Sequence, residues 1–337
     1  MTAARVPVLG ITMGDPAGVG PEITAKALAH AEVAGACRPV VIGDRSVMAA
    51  TLALLRSPLS LHPVASVTEC TFEPGRIECL DLANVDCATL PKSTVSAEAG
   101  RAAYAYIEAG VRLCQAGAID GIVTAPVNKE ALAAAGVQHS GHTEILARLT
   151  DTKDFAMLLM GKELKVIHVT THVALRRVPD LVTRERVGRV IRLAQQTMTG
   201  LGRPRARIAV CGLNPHNGDN GSFGREEIDV IRPAVEAARA RGIPAQGPFA
   251  ADTIFLKVRG EQRQYDGVVT MYHDQGQIAM KLMGFERGVT VQGGLPVAIT
   301  TPAHGTAFDI AGQGKANPSA IKQAFQLACR MALARIQ

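Results

Sequence analysis

Residues Val6–His30 read VPVLGITMGDPAGVGPEITAKALAH. The stretch opens on a short apolar run, Val6–Ile11, of strand character. It breaks at a Gly/Pro-rich polar turn, TMGDPAGVGPE, and resumes as the Ala-rich, helix-like segment Glu22–His30. Strand, polar turn and helix in that order form the repeating unit of α/β folds. The unit recurs along the chain. Pro39–Ile42, Gly121–Thr124, Leu164–Val169, Arg207–Cys211 and Gly267–Met271 read as buried strands, and Ala97–Ala116, Arg184–Met198 and Glu226–Ala240 as helices. The alternation predicts a largely parallel sheet with helices on its faces.

A chain of 337 residues is too long for one ordinary core and suits two α/β lobes. No repeat, low-complexity tract or linker separates them. Aromatics make up only 4% with no Trp, so the core must be built from Ala, Val, Leu and Ile. The same scarcity argues against a single-stranded nucleic-acid binder, which needs stacking platforms. The net charge of +6 is spread out, and its one local cluster, Arg184–Arg192, reads as the solvated face of a helix. A mildly positive balance suits an anionic small substrate, with no nucleic-acid partner. Seven cysteines without C-x-x-C spacing predict free thiols in a reducing, cytoplasmic compartment. The N-terminus is too short and polar for a signal peptide, and no apolar run is long enough for a membrane span.

Five strand-like runs end in polar turns: TMGDPAGVGPE, TAPVNKE, TTHVALRR, CGLNPHNGDNG and MYHDQGQ. Ligands of open α/β sheets bind beyond the carboxyl ends of the strands. Three of these turns carry a histidine: His172, His216 and His273. Neutral imidazole is the commonest transition-metal ligand, and three leave open positions for a substrate. The alternative is three unrelated loop histidines. His168 lies four residues before His172 in a strand-like run, which would separate the two by roughly 13 Å. It therefore reads as a satisfied core histidine, and His30 and His62 read as surface residues.

Gly14–Glu22 could cradle a phosphate with its backbone amides, or could be a structural turn; it matches neither G-x-G-x-x-G nor a P-loop. Gly141-His142-Thr143-Glu144 opens a helix, with Thr143 either an N-cap or, with His142, an anion contact. Lys281 is either a cation for the same ligand or a surface lysine. G-x-S-x-G and other nucleophile signatures are absent, which disfavours nucleophilic hydrolysis.

The motifs GITMGDPAGVGPEI, TAPVNKEAL, SGHTE, TTHVALR, CGLNPHNGDNG, GPFAADTIF, MYHDQGQIAMKLMGF and HGTAFDIAG resemble the 4-hydroxythreonine-4-phosphate dehydrogenase (PdxA) family over nearly the whole chain. Met13–Gly20 is similar to its second group, which includes enzymes for D-threonate and D-erythronate 4-phosphates. The resemblance implies an isocitrate/isopropylmalate dehydrogenase-like α/β fold, with two lobes and a cleft between them. We expect lobe 1 over residues 1–135 and 299–337, and lobe 2, with the metal histidines and dimer contacts, over 136–298. It also implies a homodimer whose site lies at the subunit interface, and NAD or NADP bound without a Rossmann fingerprint. By position, the metal ligands fall on His172, His216 and His273, the substrate pair on His142 and Thr143, and the substrate lysine on Lys281.

Three family positions differ. Thr290 stands where the family has Asn, Ile299 where it has Arg, and Ala303 where it has Asp. Losing a guanidinium removes a bidentate anion contact. The expected reaction is oxidation of a secondary alcohol by NAD(P), then decarboxylation, with a divalent ion (Zn, Mg or Co) as Lewis acid. Lys281 would meet a substrate anion or assist proton transfer, Asp252 and Asp274 would orient the histidines, and Thr290 would line the substrate site. Other relatives of the family act on cis-dihydrodiols of aromatic dicarboxylates, which need no phosphate. A metal-dependent hydrolase or lyase without NAD, and a non-catalytic metal-binding or ligand-sensing relative, are the remaining classes.

Overall fold

The computed structural model describes residues 5–138, 141–161, 163–284 and 287–336, so Ser140 and Phe285 of the quoted motifs lie outside the described residues. The described strands are β1 Val8–Thr12, β2 Arg38–Gly43, β3 Ser60–Val64, β4 Arg76–Asp81, β5 Gly121–Thr124, β6 Ala156–Met160, β7 Lys165–His168, β8 Ile208–Cys211, β9 Ala245–Phe249, β10 Gly267–Thr270, β11 Val289–Gly293 and β12 Ala298–Pro302. The chain forms two compact units: Met1–Lys153 with Leu295–Gln337, and Asp154–Gly294.

The first unit orders its strands β3-β4-β2-β1-β5-β12. The described pairs among them are all parallel. Its central strands are apolar on both faces because helices cover both, and Leu9, Ile11, Val41, Ile42, Val123 and Ile299 have essentially no exposed surface. The long helix Ala97–Gln115 starts where Ser96 Oγ accepts the Ala99 amide. A Cβ on Gly100 would stand 2.0 Å from the Ala131 carbonyl, so the helix Lys129–Ala134 packs backbone against backbone there. The helix His142–Leu149 also packs on Ala97–Gln115, which puts residues 136–153 in this unit rather than with Asp154–Gly294. His62 is not a free surface residue: its Nδ1 lies 2.7 Å from Oε2 of buried Glu78.

The second unit orders its strands β11-β6-β7-β10-β8-β9. β6 is antiparallel to both neighbours, and the other pairs are parallel. Leu159, Val166, Ala209, Cys211 and Val268 form the centre of its core. The helix Arg184–Gly200 is capped by Thr183 Oγ1. Its basic cluster is a solvated face that spends charge locally: Arg189 pairs with Glu185 and Asp154, and Arg192 with Asp154. The seven cysteines are free, and among the described residues no helix is long and apolar enough to cross a membrane.

The turn after β1 resolves one open reading. The Asp15 amide donates to the Pro126 carbonyl, that of Ala17 to Asp15 Oδ1, that of Gly18 to the Asp15 carbonyl and that of Val19 to the Thr306 carbonyl. These four donors are spent inside the protein, which favours a structural turn over a phosphate cradle at Gly14–Pro21. Gly14 has φ +75°, and a Cβ there would meet the Pro126 carbonyl at 2.4 Å, so only glycine serves.

Asp15 is fully buried, its Oδ2 has no partner, and burial pushes its carboxyl up to about 6. A raised folded-state value favours the neutral acid. Its stabilising effect is therefore complete below the unfolded value near 3.8 and lost as pH rises through 6. Asp15→Asn should remove this dependence. Between pH 4 and 7 the parent protein should lose up to about 3 kcal/mol relative to the variant. Parallel stability curves from urea titrations across that range would contradict the assignment.

Candidate active site

The histidine-bearing turns of the second unit are built by its strand ends. β8 ends at Cys211, and residues 212–221 turn sharply. His216, Asn217, Gly218, Asp219 and Asn220 all have positive φ, between 41° and 79°. This is a left-handed turn, normally costly for residues with a Cβ. Asn, Asp and Gly tolerate it, which explains the sequence NGDN after His216. Glu227, only 1% exposed, anchors the turn. Its Oε1 accepts the amides of Leu213 and Asn214 at 2.7 Å each, and its Oε2 accepts Asn214 Nδ2 at 3.0 Å. A Cβ on Gly218 would lie 2.5 Å from that carboxylate, so the turn closes onto it only with glycine. His216 is exposed, its ring centre 6.4 Å from that of Phe223.

β10 ends at Thr270, and the helix His273–Leu282 begins three residues on. Gln275 ties this turn down: its Oε1 accepts the Met271 amide and its Nε2 donates to the Gly212 carbonyl at the end of β8. The helix sits close on β7 because residue 276 has no side chain. A Cβ there would meet Val166 Cγ1 at 2.4 Å and His168 Cε1 at 2.8 Å.

His273 Nδ1 lies 2.7 Å from Asp274 Oδ1. A proton on Nδ1 shared with the carboxylate leaves Nε2 with a free lone pair. The ring of His172 stands 5.8 Å from that of His273, centre to centre. Two imidazoles on one ion have centres about 5 Å apart, so this pair is somewhat wider than that spacing, and His168 stands as close to His273. His216 does not complete the set within one chain: among the described residues no group of three His, Cys, Asp or Glu is arranged to hold a metal.

β7 ends on His168, so strand spacing does not continue to His172. The His168 and His172 rings instead both lie beside His273, at 5.7 and 5.8 Å. His168 is 1% exposed, and burial, then His273 and His172, push its imidazole down to about 3.

A groove of about 690 Å³ opens beside these turns, and His216, Asp252, Tyr272 and Asp274 are among its polar lining. Phe255, Leu256, Ile278 and Leu282 give it an apolar wall. Lys281 is exposed on the same helix as His273 and makes no hydrogen bond or ion pair with a described residue. Thr290 is buried in β11, in register with Leu159.

The remaining positions belong to the first unit. His142 is the first residue of its helix, capped by Gly141, so Thr143 lies in the first turn and is not the N-cap. His142 Nε2 lies 3.3 Å from the Ala125 carbonyl. Burial, and then Lys129, push its imidazole down to about 4, so the neutral ring donates there and keeps Nδ1 as an acceptor. Ile299 is core, in register with Ile122 on β5, and makes no polar contact. Sequence reasoning missed Glu227, Gln275 and Gly276. The only local signal was the Asn/Gly/Asp run after His216.

Comparison with known proteins places the chain among dehydrogenases. The family described as "Pyridoxal phosphate biosynthetic protein PdxA" matches residues 35–328. D-threonate 4-phosphate dehydrogenase of Pectobacterium atrosepticum is 46% identical over 326 residues, covering 96% of this chain and 99% of that protein. The crystal structure of 4-hydroxythreonine-4-phosphate dehydrogenase from Klebsiella pneumoniae has a TM-score of 0.88 at 44% identity, covering 98% of this chain and 99% of that one. That of a terephthalate 1,2-cis-dihydrodiol dehydrogenase from Burkholderia xenovorans has a TM-score of 0.67 at 30% identity, covering 94% and 95%.

Gly276→Ala tests how tightly the His273 helix must seat. The added methyl should cost about 1–3 kcal/mol and displace His273 from His172, which thermal unfolding and a crystal structure of the variant would record. An unchanged melting temperature with an unmoved helix would show that the contact is slack.

Proposed function

The chain belongs to the PdxA family, and from that premise we propose that it oxidises the secondary alcohol of a 4-hydroxythreonine-4-phosphate-like substrate with NAD or NADP, and that the product then loses CO₂. What carries this reading is the length of the match: relatives and structures named as 4-phosphate dehydrogenases align over 96–98% of the chain at 44–46% identity. D-threonate 4-phosphate is the second reading, favoured by the name of the 46% identical relative and by the Met13–Gly20 form of the opening motif. The amides of Asp15, Ala17, Gly18 and Val19 already have protein acceptors, which argues against the Gly14–Pro21 turn as a dinucleotide pyrophosphate site. No step is assigned to it.

The proposed metal ligands are His172, His216 and His273. When bound, a divalent ion such as zinc, magnesium or cobalt supplies Lewis-acid polarisation of substrate oxygens. Asp274, 2.7 Å from His273 Nδ1, would orient that ring so that its Nε2 lone pair can face a cation. Asp252, on the groove lining, is the other candidate for orienting this set. Lys281 would neutralise a substrate anion or assist proton transfer. His142, Thr143 and Thr290 are the proposed further substrate contacts, with neutral His142 accepting a hydrogen bond from a substrate hydroxyl at Nδ1. The chain is proposed to act as a homodimer with the site at the subunit interface, where the third histidine joins the His172–His273 pair. The exposed Leu256, Ile278 and Leu282 beside the groove support that association, since clustered apolar surface marks interaction sites.

Two experiments test this reading. The purified protein should reduce a nicotinamide nucleotide on one of the two 4-phosphates. Turnover should stop on chelation and fall at least about 100-fold in His216→Ala, with the fold intact. Turnover of a dihydrodiol dicarboxylate and of neither phosphate would sink the phosphate assignment, and full activity of the chelated variant would remove the cation. Separately, Leu282→Asp should sediment as a monomer and lose turnover; an active monomer would contradict the shared site.

A further inference from the structure

His168 is only half satisfied, and the unsatisfied half is informative. Its Nδ1 lies 2.7 Å from Thr270 Oγ1, and Thr270 Oγ1 lies 3.4 Å from the Tyr272 carbonyl. A hydroxyl has one proton. If Thr270 gives it to Tyr272, Thr270 must accept from His168. His168 then carries its proton on Nδ1, and its Nε2 holds only a lone pair. That nitrogen is buried and has no hydrogen-bond partner among the described residues. A core position with no other task would be filled more stably by an apolar side chain.

The relay ends at a consequential place. Tyr272 is the N-cap of the helix His273–Leu282 and precedes His273 directly. The His168 ring also lies beside that of His273, with centres 5.7 Å apart. Gly276 lets the helix approach within contact of both His168 and Thr270. His168 therefore touches the start of this helix twice: through Thr270 to the backbone before His273, and directly at the ring.

We propose that His168 is a positioning residue for His273, setting its imidazole through the His168–Thr270–Tyr272 relay. This rests on the reading that His172 and His273 hold a cation. His168 is not itself a metal ligand here; it acts through its neighbour, as outer partners of metal-bound histidines do.

Cobalt(II) binding to the full dimer tests it, with affinity from chelator competition and the visible absorption band as readouts. His168→Ala should weaken cobalt binding about tenfold or more and shift the band. Thr270→Val should do the same, and the double variant should be no worse than either single change. His168→Asn, whose amide can replace the Nδ1 donor, should recover most of the affinity. If His168→Ala lowers only the melting temperature and leaves affinity and band at parental values, His168 is a core residue and the proposal falls. If the parent dimer takes up no cobalt, the metal reading itself fails. The positioning role is then judged on the ring nitrogen-15 shifts of His273 in metal-free parent and His168→Ala protein: movement supports it, and identical shifts overturn it.

Discussion

Where strand pairing stops, backbone amides still need acceptors, and this protein supplies them with buried carboxylates. An unpaired buried amide costs as much as a lost hydrogen bond. Glu227 collects two amides and a side-chain amide after β8. Asp44, at the end of β2, collects the amides of Asn84 and Val85 and the hydroxyl of Tyr106. Glu78 on β4 takes the amides of Thr71 and Phe72. Asp15 takes that of Ala17 after β1. Each carboxylate lets a turn stay irregular and still be rigid. Irregular, rigid turns at strand ends are what the candidate site is made of.

The sequence made one class of element plain. β1, β2, β5, β7, β8 and β10 are short runs dominated by Val and Ile and bounded by polar turns, and all six were legible. β6 was not, because Ala-Met-Leu-Leu-Met favours helix by propensity and becomes a strand only between β11 and β7. β3 and β9 each contain a proline and are partly exposed, so their pattern is diluted. Pairing decided these three: β6 between the adjacent β7 and the distant β11, β3 on β4, and β9 on β8.

The site divides the same way. Histidines at the ends of legible strands were found, since a polar turn after a buried strand is a local signal. Their supports were not. Glu227 reaches back about one helix length to Leu213, and Gln275 bridges to Gly212. His168 is the core histidine its strand suggests, but its unsatisfied Nε2 and its place beside His273 were not legible, for a related reason. Strand spacing was extended through a chain that in fact turns after residue 168, so its closeness to His273 was invisible.

The left-handed turn at His216 also restricts how this protein can change over generations. Five successive residues share a backbone shape that Gly, Asn and Asp accept and β-branched residues resist. The alphabet open to residues 217–220 is therefore very short. One-letter drift there meets a steric barrier before it meets any chemical one. A lineage that needed the imidazole elsewhere would have to replace the whole turn at once. The groove beside it, whose apolar wall comes from helix side chains in ordinary conformations, meets no such backbone barrier.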